Sequence, residues 1–253
     1  MIDAIPVELR VLVAMGLTLL LVMLRVEAER FGAAEYDEPV RGRRPSIIRR
    51  LAWYVLGVGG VLALLLVHPS AELDLRLTGG DRSGILLAFV IAGIGVGQAV
   101  ALAYLHYRRL RFPDIAAYPG ALANEILTAF IDEAVFRGAV LGYFLWVGAD
   151  ANLAILGQTV VYALSTRLGA PGRDRYMLLL AILIGLIGGW ATLETRGIGA
   201  AFLGHAITRV AVFLTTGHAG QPPARGTEDE DMEKRRRPPD GWRAVDRSGV
   251  RER

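Results

Sequence analysis

Five ionisable residues stand inside otherwise apolar stretches of this chain: Asp132, Glu133 and Arg137 in one, His205 and Arg209 in another. At bilayer depth each such group costs roughly 2.5–3.5 kcal/mol on insertion scales, so residues of this kind mark sites. With His205 neutral the two acids balance the two arginines, the sum expected of a buried, mutually paired cluster. Glu133 and Arg137 are four residues apart with the acid N-terminal, the better orientation for a pair along a helix. Asp132 points about 100° away around the same helix and can face a different neighbour. One acid can therefore be held by Arg137 while the other faces a cavity or partners Arg209. Glu125 falls on nearly the same stripe as Asp132 but about 10 Å away along the axis, too far to share one water with it. His205 and Arg209 share a face of their helix, as do Tyr162 and Thr166, and Gln158 and Ser165 add polar groups to the latter stretch. Three helices can thus aim polar side chains at one point, which is how a bundle builds an internal site. The chemistry open to such a cluster is proton transfer to and from water and stabilisation of developing charge.

The elements that must position these groups are legible in the hydropathy. Of 253 residues 53% are hydrophobic, mean hydropathy is +0.39, and the apolar residues come in blocks rather than at the spacing of a water-soluble domain. Seven blocks can cross a bilayer core of roughly 30 Å: Val7 to Val26, Leu51 to Val67, Ile85 to Tyr107, Gly120 to Val147, Ala151 to Thr166, Tyr176 to Leu193 and Ile198 to Gly217. The first has no basic region before it and no small-residue cleavage site after it, so it reads as an uncleaved helix. Basic residues test the count, because cytoplasmic loops are enriched in them. The segments 25–50, 108–111, 167–175 and 225–253 hold 22 of the 28 lysines and arginines. The alternate set holds only Arg10, Arg76, Arg82 and Arg196, and the remaining two are Arg137 and Arg209 within spans.

The expected fold class is therefore all-α: a polytopic membrane helix bundle of about seven transmembrane helices, N-terminus outside and C-terminus cytoplasmic. Residues 1–217 form the bundle. Residues 218–253, with four prolines and the mixed-charge stretch Glu228 to Arg237, bury too little apolar area to offset ordering and form a disordered cytoplasmic tail. The absence of cysteine excludes disulfides and thiolate chemistry. A secreted enzyme and a nucleic-acid binder are also excluded, since the arginines sit where a membrane protein carries them.

The stretch Asp132-Glu133-Ala-Val-Phe-Arg137-Gly138 resembles the E-E-x-x-x-R signature of the CAAX protease and bacteriocin-processing (CPBP, Abi) family, which includes the type II CAAX prenyl endopeptidases. Members carry a second motif, an aromatic followed four residues later by His, and a third, His followed four residues later by Asn or Asp. The order fits helices four, five and seven. Asp132 stands for the leading Glu, Tyr162 fits the aromatic position, Thr166 replaces the second-motif His, His205 is kept, and Arg209 replaces the Asn.

The resemblance implies an intramembrane endopeptidase that hydrolyses a peptide bond with a carboxylate-activated water. Asp132 would be the activating acid and Glu133 and Arg137 its support. His205 and Arg209 would act at the oxyanion, and Tyr162 and Thr166 would complete the site. Its partners would be membrane lipid and a membrane-associated protein or peptide substrate. Loss of the second-motif His points to reduced activity, and the alternative is an inactive pseudoprotease serving as a binding or immunity-type module. A transporter or proton relay ranks below both, as no paired repeats are present.

Blander readings account for the rest. No cofactor is expected, and zinc is disfavoured because a catalytic site normally needs three protein ligands while the bundle offers one His. His68, His106 and His218 lie at span ends, where interfacial solvation explains them. Trp146 and Trp190 read as interface anchors. The glycines at 57, 59 and 60, at 93, 95 and 97, and at 185, 188 and 189 read as close-packing positions between membrane helices rather than phosphate cradles.

Overall fold

The structure is a computed structural model that describes residues 5–33, 47–107, 110, 119–170 and 176–217. The expected tail at 218–253, with His218, lies outside the described residues, as do most of the basic loop positions and the His106 side chain. In chain order the helices are α1 (Val7–Val26), α2 (Ile47–Val67), a single turn α3 (Ala71–Asp74), α4 (Gly84–Tyr107), α5 (Pro119–Asp132), a π-helical segment (Glu133–Val140), α6 (Leu141–Trp146), α7 (Ala151–Gly169), α8 (Tyr176–Thr195) and α9 (Gly199–Thr216). No strand occurs among the described residues.

Burial is inverted relative to a protein built for water. Leu20 is 66% exposed, Leu86 74% and Phe89 61%, while Asp132, Glu133 and Arg137 are wholly buried. Water would reject both halves of that arrangement, whereas a lipid surround makes both favourable. Five helices are long and apolar enough to cross a membrane: Val7–Val26, Ile48–Val67, Gly84–Leu105, Met177–Thr195 and Gly199–Thr216. The chain is an integral membrane protein. The other two predicted spans differ for local reasons. Gly120 to Val147 is one continuous rod in which the π segment separates α5 from α6, and α7 carries Gln158, Thr159, Tyr162, Ser165 and Thr166 as buried residues, which lowers its hydropathy.

Small residues set how closely the rods approach. Between α4 and α9, Gly95 lies directly under Thr208, and a β-carbon at Gly204 would sit 2.6 Å from Ile91. Gly60 similarly receives Leu21 of α1, Gly57 receives Ile131, and Gly185 receives Thr159. The close-packing reading of the glycines is thus only partly correct. Gly59, Gly93 and Gly97 have nothing within 4 Å of a modest side chain, so they lie on the opposite, outward sides of α2 and α4.

Helix ends are fixed by ordinary capping chemistry. Asp150 caps α7 by accepting from the Asn152 and Leu153 amides (2.9 and 3.2 Å), and Gly217, at φ 77°, closes α9 by donating to the Phe213 carbonyl (2.8 Å). The turn after α8 is tied to the one before α4: the Ile198 amide donates to Thr78 (3.1 Å) and the Asp81 amide to Thr195 (2.8 Å). That tie fixes where α9 starts and hence the depth at which it presents His205. At the corner after α2, His68 is not solvated as its position suggested. Only 3% exposed, it accepts the Ser70 amide proton at Nδ1 (3.2 Å) and packs its ring edge-on to Tyr143. Burial lowers its pKa, with Asp74 opposing that shift and Arg10 reinforcing it.

Candidate functional site

The π segment lies at the centre of the bundle, and every residue from Glu133 to Ala139 is buried. Such segments are rare and recur at functional positions, because the wider turn redirects side chains that a regular helix would stack. Gly138 and Gly142 let it lie against the α3 corner: side chains there would run into Leu77 and into the Asp74 and Leu75 backbone. The central rod is therefore seated from outside by α3 while its polar face turns inward.

Asp132 and Glu133 face different neighbours. Glu133 makes two contacts: Oε1 with His205 Nδ1 at 2.7 Å and Oε2 with Arg137 Nε at 3.3 Å. Gly188 of α8 leaves room for this triad, since a β-carbon there would lie 3.1 Å from Arg137 Nε and 3.4 Å from Glu133 Oε2. The Arg137 guanidinium sits 4.0 Å from the centre of the Tyr162 ring, a cation–π contact of the kind strengthened by desolvation. Tyr162 also packs against Phe136 (ring centres 5.1 Å apart) and edge-on to His205 (6.3 Å). The side chains expected to meet at positions 133, 137, 162 and 205 form one contiguous group.

Asp132 departs from both of its expected arrangements. It is not left to face a cavity alone, and its partner is not Arg209. The Arg25 guanidinium, from the last turn of α1, forms the ion pair, with Nε 2.9 Å from Asp132 Oδ1 and both side chains buried. Assigning Arg25 to a cytoplasmic loop is thereby corrected. Its stem lies in the bundle and its charge serves Asp132. Arg25 meets Asp132 as an ion pair only: neither carboxylate oxygen has a hydrogen-bond partner among the described residues, and neither has Thr166 Oγ1. Their registers correspond: Phe136 meets Tyr162, the chain reverses between the two rods, and one turn further along each stand Asp132 and Thr166.

Arg209 is committed elsewhere. Its Nε lies 2.9 Å from Glu125 Oε2, and Glu125 also accepts from Asn124 Nδ2 (2.8 Å), whose own Oδ1 accepts from Tyr54 of α2 (2.5 Å). Glu125 is too distant to share a water with Asp132 by sequence spacing, and its use is to neutralise Arg209. Two other polar residues of α7 serve packing rather than the site. Gln158 donates to the Gly185 carbonyl of α8 (2.7 Å), and Ser165 returns its hydroxyl to Val161 (2.7 Å).

Among the described residues three buried carboxylates, Glu125, Asp132 and Glu133, thus meet two buried guanidiniums, Arg25 and Arg137, and the nearly buried Arg209. Each carboxylate has its own arginine, and His205 is the additional titratable group. With Glu133 ionised, His205 Nδ1 carries a proton. The neutral ring then offers Nε2 as an acceptor, and only the charged ring donates there. Among the described residues no group of three or more His, Asp or Glu is arranged to hold a metal ion.

His205 also lines a small, largely apolar cleft of about 20 Å³, room for a single water, between α4, α8 and α9, with Ile91, Gly95, Gln98, Ile187 and Gly188 among its walls. The three helices around it are each long and apolar enough to cross a membrane.

Two residues of the cluster escape a reading of the sequence. Arg25 stands at the end of an apolar run, where one arginine looks interfacial. The role of Glu125 follows only from register: if His205 opposes Glu133 in antiparallel helices, Arg209 lies one turn further and its long side chain reaches on by another turn to Glu125.

A membrane protein, helical with no strand among its described residues, that carries a charge-balanced polar centre and an acid–histidine pair beside a small apolar cleft is the class this geometry defines. Residues 114–211 match the family model of the type II CAAX prenyl endopeptidase Rce1-like proteins, consistent with the CPBP family that the three motifs resemble. The matched segment runs from before Asp132 to beyond Arg209, and α1 with Arg25 lies outside it. Comparison with curated proteins and with solved structures gave no match.

Proposed function

We propose that the protein is an intramembrane endopeptidase that hydrolyses a peptide bond with a water activated by carboxylate and imidazole. The observation that carries this reading is the 2.7 Å contact between Glu133 and His205 in a fully buried position whose far edge lines a cleft. Glu133, held in turn by Arg137, fixes the ring and supports the charge it acquires, the arrangement by which a carboxylate makes a histidine an effective base. Asp132 Oδ2 and Thr166 Oγ1 hold the water. His205 Nε2 takes its proton as the oxygen attacks the carbonyl carbon, then returns the proton to the departing amine as the C–N bond breaks. In this reading His205 is the proton carrier rather than the oxyanion donor that the family resemblance implies. Arg209, paired with Glu125, is a supporting residue.

The substrate is a membrane-associated protein or peptide that approaches from the side of the His205 cleft, and no cofactor is required. The bundle spans a bacterial plasma membrane seven times with the N-terminus outside, a topology supported by the uneven loop arginines. With Arg25 removed from the loops, 21 basic residues still stand against four.

The test compares new peptide termini in host membranes carrying wild type, Asp132→Asn/Glu133→Gln or His205→Ala at matched abundance. Termini that appear only with wild type support proteolysis and identify a substrate. Identical termini with all proteins folded favour a second reading, a binding module without cleavage. A specific observation recommends it: every carboxylate of the cluster is neutralised by its own arginine, as a purely structural core requires.

A further inference from the structure

The catalytic reading gives Asp132 a task that depends on where its second oxygen points, and nothing within the family-matched segment fixes that direction. Glu133 engages Arg137 and His205, and Arg209 engages Glu125. The group that holds Asp132 comes from residue 25, at 2.9 Å, and is itself 3% exposed.

The last turn of α1 is clamped at two further points. Trp53 of α2 donates its indole N–H to the Leu24 carbonyl (3.2 Å). On the other side α7 presses its Gly169 against the Arg25 carbonyl, where a β-carbon would come within 2.5 Å of the oxygen. Gly169 is three residues beyond Thr166, so α1 touches the same end of α7 that supplies the second water-holding oxygen. A guanidinium spreads its charge over a rigid plane of donors and restricts where a paired carboxylate can lie. An ammonium supplies the same charge without that restriction.

We propose that Arg25 is a positioning residue of the active site: by pairing with Asp132 from the clamped end of α1 it sets where that carboxylate lies in the bundle, making the first helix part of the machinery. The proposal rests on the endopeptidase reading above.

Two variants test it with purified protein in lipid nanodiscs and a peptide recovered from the membrane comparison. Arg25→Lys keeps the charge and removes the planar fork. Gly169→Ala changes no charge but displaces the α1 end through the Arg25 carbonyl. Misplacement of a catalytic group by about 1 Å costs on the order of 100-fold in rate. Both variants are therefore expected to lose at least roughly tenfold in kcat with KM within about twofold, while thermal melting shows them folded. If wild type cleaves and the folded variants match its kcat, or raise KM alone, Arg25 is only structural and the proposal falls while the endopeptidase stands. If Arg25→Lys fails to fold, Gly169→Ala decides by the same criterion. If wild type itself cleaves nothing, the endopeptidase reading fails first and takes the positioning role with it.

Discussion

Three buried carboxylates, each paired with its own arginine, raise the question of what each pair contributes. Removing charges from a polar surround is costly, and pairing recovers that cost only when the geometry is good. Breaking one pair is a different matter, because the remaining ion stays buried and uncompensated. Glu125 and Arg209 provide the clean case, since they lie apart from the proposed water. Glu125→Ala is expected to destabilise the protein by about 3–5 kcal/mol, whereas Glu125→Gln combined with Arg209→Met recovers most of that loss. Chemical unfolding of the two variants in detergent micelles reads the difference. A double variant no more stable than the single would mean that the pair contributes more than the removal of a stranded charge.

At the scale of elements, the helices depend on where a rod has no side chain. Gly95 sits beneath Thr208 with no room for a methyl group, while Gly93 and Gly97 on the same helix look outward. Gly95→Ala should thus cost about 1–3 kcal/mol through overpacking of the α4–α9 contact, and Gly93→Ala should leave the melting temperature unchanged or slightly raised. Sequence periodicity does not separate these glycines, because α4 is apolar all round and carries no polar face to orient it.

The same limit explains what else could and could not be read. Val7–Val26 was legible to the residue, and each predicted span has a helical counterpart, since hydropathy blocks reflect bilayer thickness directly. The contact of Glu133 with Arg137 was legible from local spacing. The π segment was not, because its wider turn is held by buried tertiary contacts rather than by any local propensity. The link from Arg25 to Asp132 was not legible either. Residues far apart in sequence gave no local cue that an arginine at the end of one apolar block would turn inward.

At the scale of the whole molecule, lipid-facing leucines surround a neutral ionic centre, and orientation is left to charges outside the spans. The chain contains no cysteine, so single cysteines can be introduced without background. Arg82→Cys should react with a membrane-impermeant thiol reagent added to intact cells, and Ser248→Cys should react only after lysis. The reverse pattern would place the arginine-poor turns in the cytoplasm and overturn the assigned topology, and labelling of both positions in intact cells would require an even number of spans.

The pairing of Arg25 with Asp132 also has a consequence for how the protein is made. The arginine leaves the ribosome about 107 residues before its partner, which at roughly 5–20 residues per second is an interval on the order of ten seconds. During that time α1 must reside in the bilayer with an unmatched cation. It can do so because Arg25 lies in the last turn, where a long side chain reaches the interfacial water. Only when the central rod arrives can the arginine withdraw from the interface. Completion of the site therefore waits for that late recruitment, and the helix made first is among the last to settle.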